Sequence, residues 1–224
     1  MKKFIVIGLG NFGFHIAKTL VENDCEVLGI DSDHEIVERA KDHITYAIIG
    51  DAANREVLES LSIRDFDCAV VSVGRDMGMS ILITLYLKEI GIPKIIVRAI
   101  TEDHGKILDM LGVSEISFPE KDMAIRLGFK LSLKNALDYL PIGAEYGIVE
   151  VNTPDSFVGK NLKELAINTR FHCQIIGIKN NTGVAGASRE QISIAPSPDE
   201  PLAKGSIMIV LGKEKDIDRI QSLG

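Results

Sequence analysis

The sequence predicts a doubly wound α/β domain with a parallel sheet over residues 1–118. A crossover helix and linker over 119–143 would join it to a small α+β domain over 144–224. Three observations carry this reading. Short Val- and Ile-rich runs alternate six times with segments of helical spacing, the pattern of a parallel sheet covered by helices on both faces. A glycine loop, Gly8 to Gly13, sits between the first strand and the first helix. Beyond Gly143 the alternation gives way to separate strands divided by glycine turns.

Residues 3–8, 26–31, 45–49, 67–72, 94–98 and 115–118 are short apolar runs bounded by turn residues, as buried strands are. Between them, Phe12, Ile16, Leu20 and Val21 share one helical face. Ile36, Val37 and Ala40 do so in the next segment, then Val57, Leu58 and Leu61, and later Ile107, Leu108 and Leu111. Residues 76–90 stand apart. Met77, Met79, Ile81, Leu82, Ile83, Leu85, Tyr86 and Leu87 leave almost no polar face, and a helix apolar all round must be covered all round. Either it lies deep in the core or its second face is a subunit interface. Pro119 opens another helix, with Glu120 and Asp122 in the first turn where acids suit the helix dipole. Its broad apolar surface extends the expected helix to about Leu137. Pro141 and Gly143 then break the chain and mark the domain boundary. In the last part, residues 147–151, 173–179, 191–194 and 206–211 read as strands, 161–165 as a short helix and 213–223 as a closing helix. Asn180, Asn181 and Gly183 suit a hairpin turn.

Composition removes several classes of function. The net charge of −7 argues against a nucleic-acid groove, which needs a basic footprint. No apolar run reaches the ~18 residues of a membrane span, so direct membrane insertion is not expected. Cys25, Cys68 and Cys173 are far apart, with no CxxC and no secretion signal, which suggests reduced, buried thiols in a cytoplasmic protein. The five histidines lack metal-ligand spacing. There is no Gly-x-Ser-x-Gly elbow, no tyrosine followed four residues later by lysine, and no clustered acid, base and nucleophile. The expectation is a protein that binds rather than catalyses. An NAD-dependent oxidoreductase with a reduced substrate domain is the alternative.

One motif carries chemistry. Gly8-Leu9-Gly10-Asn11-Phe12-Gly13 fits G-x-G-x-x-G, between a strand and a helix, in a Rossmann-like βαβ context. Gly8 serves the tight turn, Gly10 lets a diphosphate approach the backbone, and Gly13 lets the helix pack closely. The helix N-terminus, Asn11 and Phe12 included, offers N–H groups and partial positive charge to phosphates. Asp31, 23 residues after Gly8, closes the second strand in position to hold ribose hydroxyls. No basic residue follows at Ser32 or Asp33, which disfavours NADP. Asp51 ends the third strand, either to contact adenine or ribose or to cap the next helix. Arg98 ends the fifth strand, either to pair with a phosphate or to satisfy Asp103 or a carbonyl.

These residues resemble a known family. The opening run from Phe4 to Gly13, the Gly50-Asp51-Ala52 turn and Phe118-Pro119-Glu120-Lys121-Asp122-Met123-Ala124 resemble RCK (KTN, TrkA-N) domains. Val158-Gly159-Lys160-Asn161-Leu162-Lys163-Glu164-Leu165 and Ile207-Met208-Ile209-Val210-Leu211-Gly212 are similar to the TrkA-C (RCK-C) domain. The resemblance implies a cytosolic regulatory subunit of a bacterial Trk/Ktr-type potassium uptake system. It implies a homo-oligomer, a dimer or a ring of eight, at the inner face of the membrane beneath an integral-membrane potassium-translocating subunit. It implies ATP, ADP or NAD(H) in the glycine crevice, with the nucleotide gating the partner. It also implies that the helix after the sixth strand crosses to a second subunit, and that Glu120 helps bind a divalent or monovalent cation. Glu120 read by itself is a helix-dipole acid. Many KtrA-type members carry arginine where this chain has Asn11. Asparagine offers no charge-assisted phosphate contact, which turns the expectation toward NAD(H), ADP or AMP.

Overall fold

The computed structural model describes residues 1–74, 76–132, 136–143, 145–181 and 190–221. Residue contacts divide the chain into two compact units, Met1–Pro119 and Glu120–Gly224.

The first unit alternates strand and helix as the sequence predicts: β1 (Lys3–Ile7), α1 (Asn11–Glu22), β2 (Glu26–Asp31), α2 (His34–Ala40), β3 (Tyr46–Ile49), α3 (Arg55–Ser60), β4 (Cys68–Val71), α4 (Met77–Ile90), β5 (Lys94–Arg98), α5 (Glu102–Met110) and β6 (Glu115–Ser117). The six strands form one parallel sheet in the order β3-β2-β1-β4-β5-β6. The order reverses between β1 and β4, so the crevice beyond their carboxyl ends is the switch point where such folds place ligands. Both faces are covered. Val6, Leu9, Ala17, Val27, Ala40 and Ile44 form one core, and Ile5, Ile7, Leu58, Ile83, Leu87 and Leu108 belong to the other. This is why the strands read as unbroken apolar runs rather than alternating ones.

α4 resolves the ambiguity of its sequence. Ser80, Ile83, Thr84 and Leu87 are buried against the sheet. Met77, Met79, Leu82 and Leu85 are exposed within the chain, so the intramolecular core covers only one face.

The second unit begins in α6 (Pro119–Ser132), which buries no residue completely; Phe129 is half-buried against this unit's core. Here the structure corrects the sequence reading. The helix is described to Ser132, and Leu137, expected at its end, lies instead in a strand, β7 (Ala136–Ile142). Pro141 therefore does not break the chain. It sits in an edge strand opposite Gly147, the kind of strand in which sheets tolerate proline. β8 (Tyr146–Asn152), α7 (Leu162–Leu165), α8 (Ile167–Phe171), β9 (Gln174–Asn181), β10 (Glu190–Ile194), β11 (Ile207–Lys213) and α9 (Glu214–Gln221) follow. The strands make an antiparallel sheet in the order β10-β9-β11-β8-β7. Asn180 and Asn181 belong to β9 rather than to the expected turn, while Gly183 lies outside the described residues. Asn161 caps α7 with Glu164 in a reciprocal capping box, which explains the abrupt start of that four-residue helix.

Candidate nucleotide site at the glycine loop

The turn after β1 is shaped by close backbone approaches. Gly8 has φ of +87°, and a Cβ there would lie 2.4 Å from the Ser72 carbonyl oxygen. A Cβ on Gly13 would lie 1.9 Å from the Gly8 carbonyl oxygen, so α1 rests directly on the turn. Gly10 differs, because a Cβ there would meet nothing within 4 Å. The chain's own packing gives no reason for glycine at this position, which leaves the backbone open to close approach from outside.

The start of α1 is chemically open. Gly10 is its N-cap, no side chain caps it, and no acid lies in its first turn. Its first helical bond runs from the Phe14 N–H to the Gly10 carbonyl, leaving the N–H groups of Asn11, Phe12 and Gly13 outside the helical ladder. The other helices of the unit are closed by side chains: Asp33 on α2, Asn54 on α3, Asp76 on α4 and Thr101 on α5.

Asp31 ends β2 and is locked beside the loop. Its Oδ2 accepts the Leu9 N–H at 2.7 Å and its Oδ1 accepts the Asp33 N–H at 3.0 Å. A carboxylate has about four lone-pair sites, so two remain for hydroxyl donors. Asp51 lies after β3 and accepts the Ala53 N–H at 2.9 Å. The helix cap is Asn54, which removes the capping role considered for Asp51. Arg98 ends β5, with its guanidinium carbon 5.9 Å from the centre of the Phe12 ring, which joins α1 to the far side of the crevice. Asp103, an alternative partner for Arg98, is bonded to Lys106 at 2.8 Å. Glu120 is exposed in the first turn of α6 and belongs to the second unit. Among the described residues no group of three or more His, Cys, Asp or Glu side chains is placed to hold a metal.

Sequence reasoning missed three features here. Ser72 follows β4 against Gly8 and Gly13, and its buried hydroxyl has no hydrogen-bond partner among the described residues. Nothing in a lone Val-Ser-Val distinguishes it. His104 is fully buried in α5; its Nδ1 accepts the Ile100 N–H at 3.3 Å while Nε2 has no partner among the described residues. Burial holds its pKa below the ordinary value. The third feature is a cavity of about 310 Å³ between α1 and α2, bounded by Leu9, Gly10, Asn11 and Phe14 on one side and by Ile36, Arg39 and His43 on the other. The cysteines are all free; burial raises the Cys68 pKa and lifts that of Cys173 to about 11, so neither is an activated thiol.

A switch-point crevice, an uncapped helix beyond a glycine turn and a carboxylate at the end of the second strand define a Rossmann-type fold, here with an appended antiparallel domain. The sequence matches the TrkA-N domain over residues 4–119 and the TrkA-C domain over 147–223, and the chain belongs to this family. Among its relatives are the Ktr system potassium uptake proteins C and A of Bacillus subtilis (strain 168). They are 35% identical over 98% of this chain and 96% of the relative, and 34% identical over 100% and 97%. The Ktr system potassium uptake protein A of Vibrio alginolyticus is 31% identical over 99% and 98%. Two solved structures share the fold: the GsuK channel bound to NAD (TM-score 0.53, 20% identity, 100% of this chain and 38% of that one) and the Shewanella denitrificans Kef CTD in AMP-bound form (TM-score 0.51, 22% identity, 58% and 79%).

Proposed function

We propose that this chain is the nucleotide-sensing regulatory subunit of a potassium uptake system. It works in the cytoplasm as a homo-oligomer against a separate membrane-spanning subunit. The observation that carries the reading is the match, along nearly the whole chain, to proteins named for Ktr potassium uptake. The glycine loop and Asp31 supply a receptor for the signal, and no described helix is long and apolar enough to cross a membrane. The exposed apolar face of α4 supports self-association, as do Met123, Ile125, Leu127 and Leu131 of α6, which are each more than half exposed in the single chain.

In this reading the N–H groups of Asn11, Phe12 and Gly13 bind the phosphates, Gly8 and Gly10 clear their approach, and Asp31 holds the ribose. Asp51 and Arg98 flank the adenine and phosphate ends. Asn11 is neutral, so the site favours NAD(H), ADP or AMP over ATP. Glu120 contributes to a cation site completed by a second subunit. The nucleotide acts only through unequal affinity for two shapes of the oligomer.

Calorimetric titration with ATP, ADP, AMP, NAD⁺ and NADH, with and without Mg²⁺, tests the proposal. One species should bind selectively, and Asp31→Ala should weaken it at least about tenfold, the loss of one or two charge-assisted hydrogen bonds. Potassium uptake by cells carrying Asp31→Ala should lose its response to that nucleotide. Absence of binding by every nucleotide would sink the sensor reading, and an unchanged Mg²⁺ response in Glu120→Gln would remove Glu120 from it.

A further inference from the structure

The cavity between α1 and α2 has the composition of a ligand site that the nucleotide reading leaves unused. Its volume of about 310 Å³ falls within the range of small-molecule pockets, which are mostly apolar with a few placed polar groups. Leu9, Phe14 and Ile36 supply the apolar walls, and Asn11, Arg39 and His43 supply the polar groups. The Phe14 ring and the His43 imidazole stand nearly perpendicular, centres 5.5 Å apart, and both line the cavity.

The formally charged side chain on the cavity lining is Arg39, with the Asp31 carboxylate held nearby by the Leu9 N–H. No carboxylate lines it. Glu38, the acid adjacent to Arg39 in the chain, is engaged by Lys41 and His34. Arg39 forms no ion pair among the described residues and is exposed on the last turn of α2. Asn11 is also exposed. A guanidinium fork, an imidazole and a carboxamide around an apolar, aromatic-walled recess match a molecule with a flat apolar body and one carboxylate.

We infer that this recess is a second effector site, taking a small planar aromatic carboxylate. The ring lies against Phe14, Leu9 and Ile36, and the carboxylate is held by Arg39 and His43. Asp31 does not line the recess, but its carboxylate accepts the N–H of Leu9, which does, and the recess shares Gly10 and Asn11 with the phosphate loop. A ligand there is therefore placed to bias nucleotide binding, and by linkage the reverse.

The test uses the whole chain and 2-naphthoate as the probe. Acetate, which lacks the body, and 2-naphthol, which lacks the charge, serve as controls, and binding is followed by calorimetry. Saturable binding of naphthoate is expected, with both controls at least about tenfold weaker. Arg39→Gln and His43→Gln should each weaken naphthoate about tenfold, the effect of losing a hydrogen bond to a charged group. Both side chains are exposed, so these variants should melt like the parent. The idea is overturned by absence of naphthoate binding, by equal binding of 2-naphthol, or by binding that survives both substitutions. Nucleotides are titrated separately, so a failure here is distinguishable from a failure of the nucleotide reading.

Discussion

The two units bury their sheets differently, and the difference shows where each can carry chemistry. In the first unit β4 is buried at every residue and β2 at its four central ones. Helices cover both faces, so polar groups are displaced to the strand ends, where Asp31, Ser72 and Arg98 sit. In the second unit β11 alternates buried and half-buried residues, and one sheet face remains available to water. Ion pairs occupy that face: Lys179 meets Glu150 at 2.8 Å and Lys213 meets Glu145 at 2.7 Å. A covered parallel sheet concentrates function at its edge, whereas a half-covered antiparallel sheet spreads its polar groups along the strands.

The largest test of this contrast uses two glycines. A Cβ at Gly13 would strike the backbone of Gly8, which cannot step aside, and Gly13→Ala should cost about 3–4 kcal/mol and abolish nucleotide binding. A Cβ at Gly147 would lie 2.4 Å from the Tyr139 ring, a side chain that can tilt, so Gly147→Ala should cost only about 1–3 kcal/mol and spare the site. Urea unfolding of both variants checks the order, and a reversed order would mean that the loop is more yielding than its geometry implies.

A pH series should separate the units next. Burial depresses the His104 pKa, so the unfolded chain takes up that proton first. Stability from this group is complete above the ordinary value near 6.5 and falls as the pH drops below it. In the second unit, burial, then the hydrogen bond from the Tyr139 hydroxyl to Glu214 at 2.7 Å, push the Tyr139 pKa up to about 12. Its contribution is complete below about pH 10 and is lost as the pH rises toward 12. Thermal melts should therefore show an acid limb that flattens in His104→Gln and an alkaline limb that flattens in Tyr139→Phe. If either substitution leaves its limb unchanged, that titration belongs to another group.

The smallest effect expected is at Arg126, whose guanidinium reaches both oxygens of Asp138 at 2.9 and 2.7 Å and ties α6 to β7. The pair is partly exposed, so Arg126→Ala should cost about 0.2–1 kcal/mol and respond to salt. A larger loss would show that α6 depends on this pair more than on the stacking of Phe129 against Tyr139, centres 4.1 Å apart.

How much was legible also differs between the units. The parallel strands were readable because burial on both faces writes unbroken Val and Ile runs into the chain. β7 was not. Its leading residues continue the apolar spacing of α6, and Pro141 resembles a stop signal until β8 is seen beside it. Glycines 8 and 13, the loop and Asp31 were readable from spacing. Ser72, His104, Arg39 and His43 were not, because each is unremarkable in its own stretch of sequence and acquires meaning only from neighbours distant along the chain.

The sequence by itself determined the alternation of strand and helix, the glycine turn, the acid at the end of β2 and the membership of a family. All of these are local patterns, set by backbone sterics and by the period of apolar residues. Only the tertiary structure decided that α4 leaves an apolar face uncovered, that residues 136–142 are an edge strand, and that α1 and α2 enclose a recess edged by Arg39 and His43. Those outcomes depend on which surfaces meet, and surfaces meet across tens of residues, where no local pattern reaches.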